Sequence, residues 1–334
     1  MNRYDVYAVG NALVDMEFTV DDGFLRTHRI DKGHMTLVDE HRLDELLDSL
    51  RDLVPKRTSG GSAANTMIAA QAFGASAFYS CKVADDDTGE YFIKDLAAIG
   101  VATNRQHPSS DGKSGRCLVL ITPDGERSMN TFLGISNELA ISELDEAALR
   151  NSRYAYIEGF LCSSPTGQRA AVRCRELAED NATRTAMTLS DASMVKLFRE
   201  QLLEMLGNGV DHLFCNEEEA LDWARTDRLD IAITELKDIG RSVNVTVGAR
   251  GSIVVSGHER HDVKGFPVKP LDTNGAGDIY AGACIAGWCA GMPAAAAARF
   301  GNFAASQLIT RFGARLPSRA EYRRLLEEFR RVAE

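Results

Sequence analysis

The sequence predicts an α/β fold in which a central, mainly parallel sheet is flanked by helices on both faces. Short apolar runs alternate with helical patterns along the chain, and this order of elements is typical of parallel sheets with helical crossovers. The 334 residues suffice for one large domain with a sizeable core. The content of 44% apolar and 26% charged residues is that of an ordinary globular protein.

Six short apolar runs are predicted as strands. They span residues 4–9, 77–83, 154–157, 210–215, 243–247 and 252–255. Helical patterns lie between them, and one apolar stripe consists of Leu43, Leu46, Leu47, Leu50 and Leu53. The other predicted helices span residues 62–73, 89–99, 166–180, 217–224, 275–290 and 293–310.

Two stretches interrupt this alternation and predict a small second sheet. One comprises residues 11–20 with 33–39, and the other is a hairpin in residues 115–133 that turns at Pro123-Asp124-Gly125. Because helices do not follow these strands, we expect a sub-domain of about residues 11–39 and 113–133, inserted in one domain of residues 1–334. A lid over a cleft is one use of such a sheet. An edge hairpin without a function is the alternative.

The overall charge argues against a nucleic-acid partner. The formal net charge is −10 and the pI is near 5.3, whereas a surface that binds duplex phosphate is broadly basic. The seven cysteines include no C-x-x-C pair, so reduced thiols in a cytoplasmic protein are expected. No run approaches the roughly 18 apolar residues that span a membrane, and no membrane partner is expected.

The segment DTNGAGD at residues 272–278 carries the main chemical prediction. Gly275, Ala276 and Gly277 are small enough for their backbone N–H groups to approach a ligand closely. A helix is predicted to begin there, with unsatisfied N–H groups and a positive dipole end that would stabilise a transferring phosphoryl group. Asp278 in the first turn is placed to accept a proton from an attacking hydroxyl. A carboxylate that only complements the helix dipole is the alternative.

The same segment resembles the D-T-x-G-A-G-D signature of the ribokinase-like (PfkB-type) carbohydrate kinases, and it lies in the C-terminal third of the chain, as it does in that family. The resemblance covers nearly the whole chain and points to the adenosine-kinase-like branch. It implies a ribokinase-like fold with a small β-sheet lid. It further implies a kinase that uses ATP and Mg²⁺, with Asp278 as the general base and Gly275, Ala276 and Gly277 as the anion hole.

The segment SGGSAAN at residues 59–65 is predicted to bind the acceptor. Paired glycines let the backbone approach a polyol closely, and an asparagine amide can both donate and accept hydrogen bonds. If the segment stood alone, a turn with an N-cap at Ser62 would be favoured. It resembles the G-G-x-x-x-N signature of the family, which implies that Gly60, Gly61 and Asn65 contact the sugar.

A second acceptor segment, GNALVD at residues 10–15, follows the first predicted strand. Open α/β sheets bind their ligands at such carboxyl ends of strands. The segment is similar to a G-N-x-x-x-D motif of the adenosine-kinase-like members, which implies that Asn11 and Asp15 bind substrate and that Asp15 holds the ribose diol. An aspartate that only caps a turn is the alternative.

Three further segments match ATP-binding positions of the family. Asn216 and Glu219 have the spacing of its N-x-x-E motif, which is associated with Mg²⁺ and phosphate, and Glu219 is expected to hold Mg²⁺ through water. Asn302 matches a position near the adenine pocket. The residues that match the T-x-G-x-x-G nucleotide-binding turn are Thr246, Gly248 and Gly251. Outside the family these segments would be a helix start, a core helix and a turn.

The sequence leaves two properties undecided: dependence on a monovalent cation and the oligomeric state. Some members of the wider family use a monovalent cation such as K⁺ beside the anion hole, and Asp272 would lie near it. However, Asn274 replaces a hydroxyl residue that ribokinase has there. Lid sheets can pair across a two-fold axis, so a homodimer through the lid is compatible with the sequence.

The predicted acceptor is the hydroxymethyl oxygen of a purine nucleoside, with adenosine ahead of inosine and guanosine. Residues 10–15, 33–39 and 115–134 resemble the adenosine-kinase-like branch more than the ribokinase or fructokinase branches. A free sugar or a sugar phosphate, such as ribose or a fructose phosphate, is the alternative within the family. Polar residues of the predicted lid would then meet the phosphate; they are Arg116, Arg127 and Asn130.

The sequence is less compatible with two other classes of protein, a ligand sensor and a dehydrogenase. A non-catalytic nucleoside or sugar sensor would keep the fold but would not need the base, so the intact Asp278 argues against it. A nicotinamide-dependent dehydrogenase is disfavoured because no G-x-G-x-x-G follows the first predicted strand.

Overall fold

The computed structural model describes residues 4–104 and 111–333. Its strands are β1 (Tyr4–Val9), β2 (Leu13–Thr19), β3 (Met35–Leu37), β4 (Lys56–Gly60), β5 (Ala77–Ser80), β6 (Ala102–Thr103), β7 (Gly115–Ile121), β8 (Arg127–Phe132), β9 (Ser152–Ile157), β10 (Arg184–Thr188), β11 (Val210–Asn216), β12 (Gly240–Thr246), β13 (Gly251–Ser256) and β14 (Glu259–Lys264).

Helices connect most of these strands. They are α1 (Asp22–Thr27), α2 (Glu40–Ser49), α3 (Ser62–Ala72), α4 (Asp87–Ile99), α5 (Glu146–Arg150), α6 (Pro165–Asp180), α7 (Ala192–Leu197), α8 (Arg199–Leu206), α9 (Glu217–Ala224), α10 (Leu229–Leu236), α11 (Ala276–Cys289), α12 (Ala294–Leu308) and α13 (Arg319–Ala333). None of the helices in the described part of the chain is long and apolar enough to cross a lipid bilayer.

The large sheet has the strand order β14-β13-β12-β11-β10-β9-β1-β5-β6. Its strands from β12 to β6 run parallel, and β13 and β14 add an antiparallel edge. Alternate residues of β1 point to opposite faces: Val6 and Ala8 pack into one apolar cluster with α3 and α11, while Tyr7 and Val9 pack into another with α6. The predicted α/β fold with helices on both faces of a mainly parallel sheet is confirmed.

The second sheet has the order β3-β8-β7-β2-β4. The predicted hairpin is present, because β7 and β8 pair antiparallel with Ile121 opposite Arg127. The sequence did not predict β4, whose segment KRTSG is polar and lacks the alternation of a half-buried strand. β4 pairs with β2, so that Leu13 lies opposite Gly60. Residues 56–60 therefore extend the predicted sub-domain.

Three strands of the large sheet, β6, β10 and β14, were also missed, and one helix is shorter than predicted. β10 reads RTAMT and the edge strand β14 reads ERHDVK, so neither is a continuous apolar run. The stripe that predicted α2 included Leu53, but α2 ends at Ser49 and Leu53 is exposed. At the edge of the second sheet, Met35 and Leu37 on β3 are exposed as well; a homodimer through this sheet stays a prediction.

Helices α3 and α11 approach each other closely, and this contact places the site. Both are rich in alanine and glycine and are buried on almost every side. A Cβ at Gly282 would lie 2.6 Å from the Cβ of Ala69 and from the carbonyl oxygen of Thr66. The small residues thus let the N-terminal turns of the two helices meet at the carboxyl edge of the large sheet, where open α/β sheets bind ligands.

Candidate active site

The turn before α11 has the backbone that the sequence predicted for an anion site. Gly275 is the N-cap of α11 with φ 75°, and a Cβ there would overlap the carbonyl oxygen of Ala314. This position therefore requires glycine. No side chain caps the helix, and a Cβ built on Gly277 meets no atom within 4 Å. The N–H of Ala276 donates to the carbonyl oxygen of Thr273 at 3.2 Å, whereas the N–H of Gly277 has no partner before the helix among the described residues and is left for a ligand.

Asp278 lies in the first turn of α11 and is half-buried. Its Oδ1 accepts a hydrogen bond from Ser62 Oγ at 2.6 Å, and its Oδ2 accepts one from Asn65 Nδ2 at 3.2 Å. Burial raises the pKa of Asp278 to about 6, although the two hydrogen bonds favour the charged form. A carboxylate with this pKa is mostly ionised at neutral pH and can accept a proton.

The alternative for this segment, an N-cap at Ser62, is not found, and no other role was assigned to Ser62 from the sequence. The N-cap of α3 is Gly61 with φ 96°, and Ser62 is the first helical residue, which frees its hydroxyl for Asp278. Asn65 lines the cleft, and its contact with the acceptor stays a prediction. Its Oδ1 is buried and has no hydrogen-bond partner among the described residues, so this oxygen is available to a ligand hydroxyl.

Asp15 faces the same cleft from β2. It lies two residues from Leu13, and both side chains line the cleft because alternate residues of a strand share a face. Burial raises the pKa of Asp15 to about 6, against the attraction of Arg127. No hydrogen bond to its carboxylate is found within the described residues. Gly60 lies beside it, since a Cβ there would be 2.7 Å from Asp15 Oδ1.

Asn11 is not placed in the cleft. It is 7% exposed. Its N–H donates to Glu158, its carbonyl accepts from Tyr79, and its Oδ1 accepts from Ser136 Oγ at 3.2 Å. These bonds give Asn11 a structural role at the end of β1, and it is absent from the described residues that line the cleft.

Asn216 and Glu219 bind each other in a capping box at the start of α9. Asn216 Oδ1 accepts the Glu219 N–H at 2.8 Å, and Asn216 Nδ2 donates to Glu219 Oε1 at 2.6 Å. Burial raises the pKa of Glu219 to about 7. Both residues line the cleft. No cluster of three metal-ligating His, Cys, Asp or Glu side chains is found in the described ranges, so these residues alone do not form a closed metal cage.

The predicted nucleotide turn is divided between cleft and core. Thr246 and Gly248 line the cleft. Gly251 does not; its φ is 104° and a Cβ there would overlap the carbonyl oxygen of Val263, so its need for glycine is structural. Asn302 is also outside the cleft lining, because its amide donates to the carbonyl oxygen of Val263 at 3.0 Å and ties α12 to β14.

Asp272 is held by an arginine and two backbone groups. Its Oδ1 accepts the Asn274 N–H at 3.0 Å and its Oδ2 the Gly313 N–H at 2.8 Å. Arg127 Nη1 lies 3.3 Å from Oδ2, and Arg127 Nη2 also donates to Glu17 at 2.8 Å. The carboxylate that the sequence placed near a monovalent cation is thus already paired with a guanidinium.

The cleft encloses about 940 Å³, and its two walls differ in chemistry. The wall from the second sheet is largely apolar and includes Leu13, Met35, Cys117 and Met129. The opposite wall carries carboxylates; they are Asp191, Glu217, Glu218, Glu219 and Asp278. No arginine, lysine or histidine lines the cleft within the described part of the chain.

The three polar residues that were expected to contact a sugar phosphate lie outside the cleft. Arg127 is bound to Glu17 and Asp272, and Arg116 lies 3.6 Å from Asp86. Asn130 is 3% exposed. None of the three lines the cleft.

A large parallel sheet with a second small sheet and a glycine turn at a helix N-terminus is the architecture of a ribokinase-fold phosphotransferase. The sequence profile of the pfkB family carbohydrate kinases matches residues 45–321, and the chain belongs to that family. It is a phosphotransferase with an alcohol group as acceptor, and membership of this family implies the use of ATP.

Three known proteins illustrate the similarity of this chain to other kinases in sequence and structure. Adenosine kinase from Saccharomyces cerevisiae is 30% identical over 93% of this chain and 96% of its own. The structure of adenosine kinase from Sinorhizobium meliloti is 36% identical, has a TM-score of 0.87 and covers 99% of this chain and 100% of its own. A Rhizobium etli protein described as a probable sugar kinase is 33% identical with a TM-score of 0.88, over 100% and 99%.

Proposed function

We propose that this protein transfers the γ-phosphoryl group of ATP to the hydroxymethyl oxygen of a purine nucleoside, with adenosine as the favoured acceptor. The observation that carries the choice of acceptor is the cleft itself. Its second-sheet wall presents Leu13, Met35, Cys117 and Met129 to the ligand, and an apolar wall suits a flat purine base. A phosphorylated sugar would instead require a cationic side chain, and none lines the cleft among the described residues.

The general base in this proposal is Asp278. It accepts the proton of the attacking hydroxyl while that oxygen forms its bond to the γ-phosphorus, and ADP leaves from the opposite side. Hydrogen bonds from Ser62 and Asn65 hold the carboxylate in one orientation. An oriented base contributes typically about 10² to 10⁴ in rate.

The negative charge that develops on the transferred group is met by the N-terminus of α11. No side chain caps the N–H groups at Gly275, Ala276 and Gly277; that of Ala276 donates to the carbonyl oxygen of Thr273, and the side-chain position of Gly277 is open, so a phosphoryl group can approach the Gly277 N–H. Such preorganised donors stabilise charge without a reorganisation cost. Because none of the described residues that line the cleft has a cationic side chain, this helix terminus is their main positive feature there.

The acceptor is held by Asp15 and Asn65 in this proposal. Asp15 has a carboxylate without a protein partner in the described residues and can accept two hydrogen bonds from vicinal hydroxyls. Asn65 offers its unpartnered Oδ1 to a further hydroxyl. A Cβ at Gly60 would overlap the Asp15 carboxylate and one at Gly61 the carbonyl oxygen of Asn11, so the two glycines let Asp15 lie against the turn before α3. Asn11 does not contact the acceptor in this proposal; its backbone hydrogen bonds to Glu158 and Tyr79 fix the loop after β1.

The oxygen donors of the cleft fit Mg²⁺, which takes oxygen ligands and keeps several waters. Glu219 and Asn216 would hold the ion through water, because their direct hydrogen bonds to each other occupy part of their coordinating capacity. When bound, Mg²⁺ would neutralise charge on the phosphoryl groups of ATP. The carboxylate-rich wall and the absence of cationic residues from the described lining are consistent with a bound divalent ion.

The second sheet acts as a lid in this proposal. It supplies one wall of the cleft through β2, β3, β7 and β8, so its closure over the acceptor would exclude water that otherwise hydrolyses ATP.

The reaction is assigned to the cytoplasm, because the seven cysteines are all free thiols.

A sugar kinase is the second candidate, because the similar Rhizobium etli protein is described as a probable sugar kinase. A coupled ADP-release assay with Mg-ATP separates the candidates, using adenosine, inosine, guanosine, ribose, fructose and fructose 6-phosphate. Turnover with a nucleoside alone supports the proposal. Turnover with a free sugar or sugar phosphate replaces the acceptor and keeps the mechanism. No ADP release with any acceptor would favour a sensor.

A further inference from the structure

Glu158 is a buried carboxylate that lies outside the cleft lining. It follows β9, is 1% exposed and is absent from the described residues that line the cleft. Its Oε2 accepts the backbone N–H of Asn11 at 2.5 Å, and its Oε1 accepts that of Ala63 at 3.1 Å. Burial raises its pKa to about 7. Both carboxylate oxygens are therefore committed to backbone donors, which offsets part of the cost of burying the group.

This carboxylate takes the place of the N-cap side chain that α3 lacks. The N-cap residue Gly61 has no side chain to accept from the first turn. Glu158 reaches that turn from the loop after β9 and also places its carboxyl at the positive end of the helix dipole. The approach depends on Gly10, since a Cβ there would lie 2.7 Å from Glu158 Oε2.

The turn that Glu158 caps is the turn that holds Asp278. Ser62 donates to Asp278 at 2.6 Å and Asn65 at 3.2 Å, and the Glu158 bond to Ala63 falls between these two residues. A shift of this turn would move both donors together. The shift would also reach the loop after β1 through the bond from Asn11.

We propose that Glu158 is a positioning residue of the phosphoryl transfer, which fixes the first turn of α3 so that Ser62 and Asn65 hold Asp278 in its reactive orientation. This inference rests on the proposed function and deepens it. Glu158 is absent from the described lining of the cleft and contacts the site through backbone N–H groups. The effect on rate is large because a displacement of about 1 Å at a reacting centre costs on the order of 10²-fold.

The substitution Glu158→Gln tests this role. An amide has one acceptor oxygen where the carboxylate uses two, so one backbone N–H would face an NH₂ group. We expect kcat to fall at least about tenfold while the KM for ATP stays within about twofold. Amide hydrogen exchange of residues 62–65 should accelerate, because the first turn of α3 loses its cap.

Asp86→Asn is the matched control. Asp86 also accepts two backbone N–H groups, from Gly89 at 2.7 Å and Ser114 at 2.9 Å, and it caps α4 away from the cleft. This variant should keep kcat within about twofold of the parent protein. If Asp86→Asn lowered kcat as much as Glu158→Gln does, loss of a carboxylate cap at any helix would explain the effect and the proposal would fail.

A double substitution decides whether Glu158 acts through Asp278. In single-turnover measurements, Glu158→Gln should cause little further loss when Asp278 is already replaced by Asn, because residues that act as a unit give overlapping losses. Multiplied losses would overturn the proposal, and so would an unchanged kcat in Glu158→Gln with a lowered melting temperature. If Glu158→Gln does not fold, Glu158→Asp keeps the charge and should give a smaller fall in kcat; an unchanged kcat there would also overturn it.

Failure of the proposed function would be seen separately. In that case the parent protein would not phosphorylate any nucleoside. The hydrogen-exchange comparison of Glu158→Gln with Asp86→Asn would still test the link to α3, since exchange does not depend on the reaction. Unchanged exchange in residues 62–65 would overturn the inference alone.

Discussion

Ser62 Oγ donates a hydrogen bond of 2.6 Å to Asp278 Oδ1 across 216 residues of sequence. The bond joins the first turn of α3 to the first turn of α11, the two helices whose small residues allow their close packing. It connects the glycine pair that precedes α3 with the glycine turn that precedes α11. The acceptor and phosphoryl halves of the proposed site are therefore held together by the base itself.

Replacing Ser62 by alanine should shift the pH dependence of turnover. The hydroxyl stabilises the charged form of Asp278, so its loss raises the pKa of the carboxyl above the value of about 6. The acid limb of the kcat profile should move to higher pH, and kcat at neutral pH should fall several-fold. Ser62→Thr keeps a hydroxyl and should stay closer to the parent protein. An acid limb at the same pH in Ser62→Ala would contradict this role.

The parent protein should lose activity in mild acid. Burial raises the pKa of Asp278 to about 6, and only the ionised carboxylate can accept the proton. We expect kcat at saturating substrates to be nearly constant from about pH 7 to 8 and to fall as the pH decreases through about 6. Steady-state kinetics over this range, with a coupling system checked at each pH, measures it. A constant kcat down to about pH 5 would contradict the assignment.

Asp15→Asn should weaken nucleoside binding and stabilise the fold at the same time. The pKa of Asp15 is raised from 3.8 to about 6 by burial, so the folded state binds more protons than the unfolded state in this interval and stability is lost as the pH rises through it. The amide removes that loss of stability, which amounts to at most about 3 kcal/mol well above pH 6 and to nothing below about pH 4. The nucleoside KM should rise at least about tenfold.

Melting temperatures at pH 4 and pH 8, together with the nucleoside KM, check this prediction. Asp86→Asn is the contrast: hydrogen bonds from Ser114 and Gly89 hold the pKa of Asp86 low although burial acts to raise it, so its amide should destabilise the protein at pH 8. If Asp15→Asn lowered the melting temperature at pH 8, or left KM unchanged, Asp15 would not be the unpaired substrate carboxylate described above.

Turnover should not require K⁺. The Asp272 carboxylate is paired with Arg127 at 3.3 Å and accepts two backbone N–H groups, so little of its coordinating capacity is left for a cation. We expect equal kcat in potassium and sodium buffers of the same ionic strength, because both ions then act only as screening salt. A several-fold higher kcat in potassium would show that a cation site forms despite Arg127.

The fold could be predicted in outline from the sequence, because the main strands and helices are strongly patterned. The strands that were missed are short or polar, such as β4 and β14, whose stability comes from pairing with a neighbouring strand rather than from their own apolar residues. Six helices in the described ranges were missed as well, including α8 and the apolar α10, because each is eight residues or shorter or, like α13, is rich in charged residues.

The candidate site was only partly accessible to sequence reasoning. The positions of Asp278, Asp15 and Asn65 in one cleft agree with the motifs, whereas Asn11, Gly251 and Asn302 lie outside its lining. The bond from Ser62 to Asp278, the Glu158 cap and the Arg127–Asp272 pair all depend on contacts between distant segments. Such contacts leave no local pattern in the chain, and only the packing of α3, α11 and the second sheet reveals them.

The most direct test of the proposed function is ADP release with Mg-ATP and adenosine, measured for the parent protein and for Asp278→Asn. We expect saturable turnover in the parent protein and a loss of at least about 10²-fold in kcat in the variant, with adenosine binding largely retained. Comparable turnover in Asp278→Asn would contradict the role of Asp278 as the base. Absence of turnover with adenosine, combined with turnover on a sugar, would contradict the proposed acceptor.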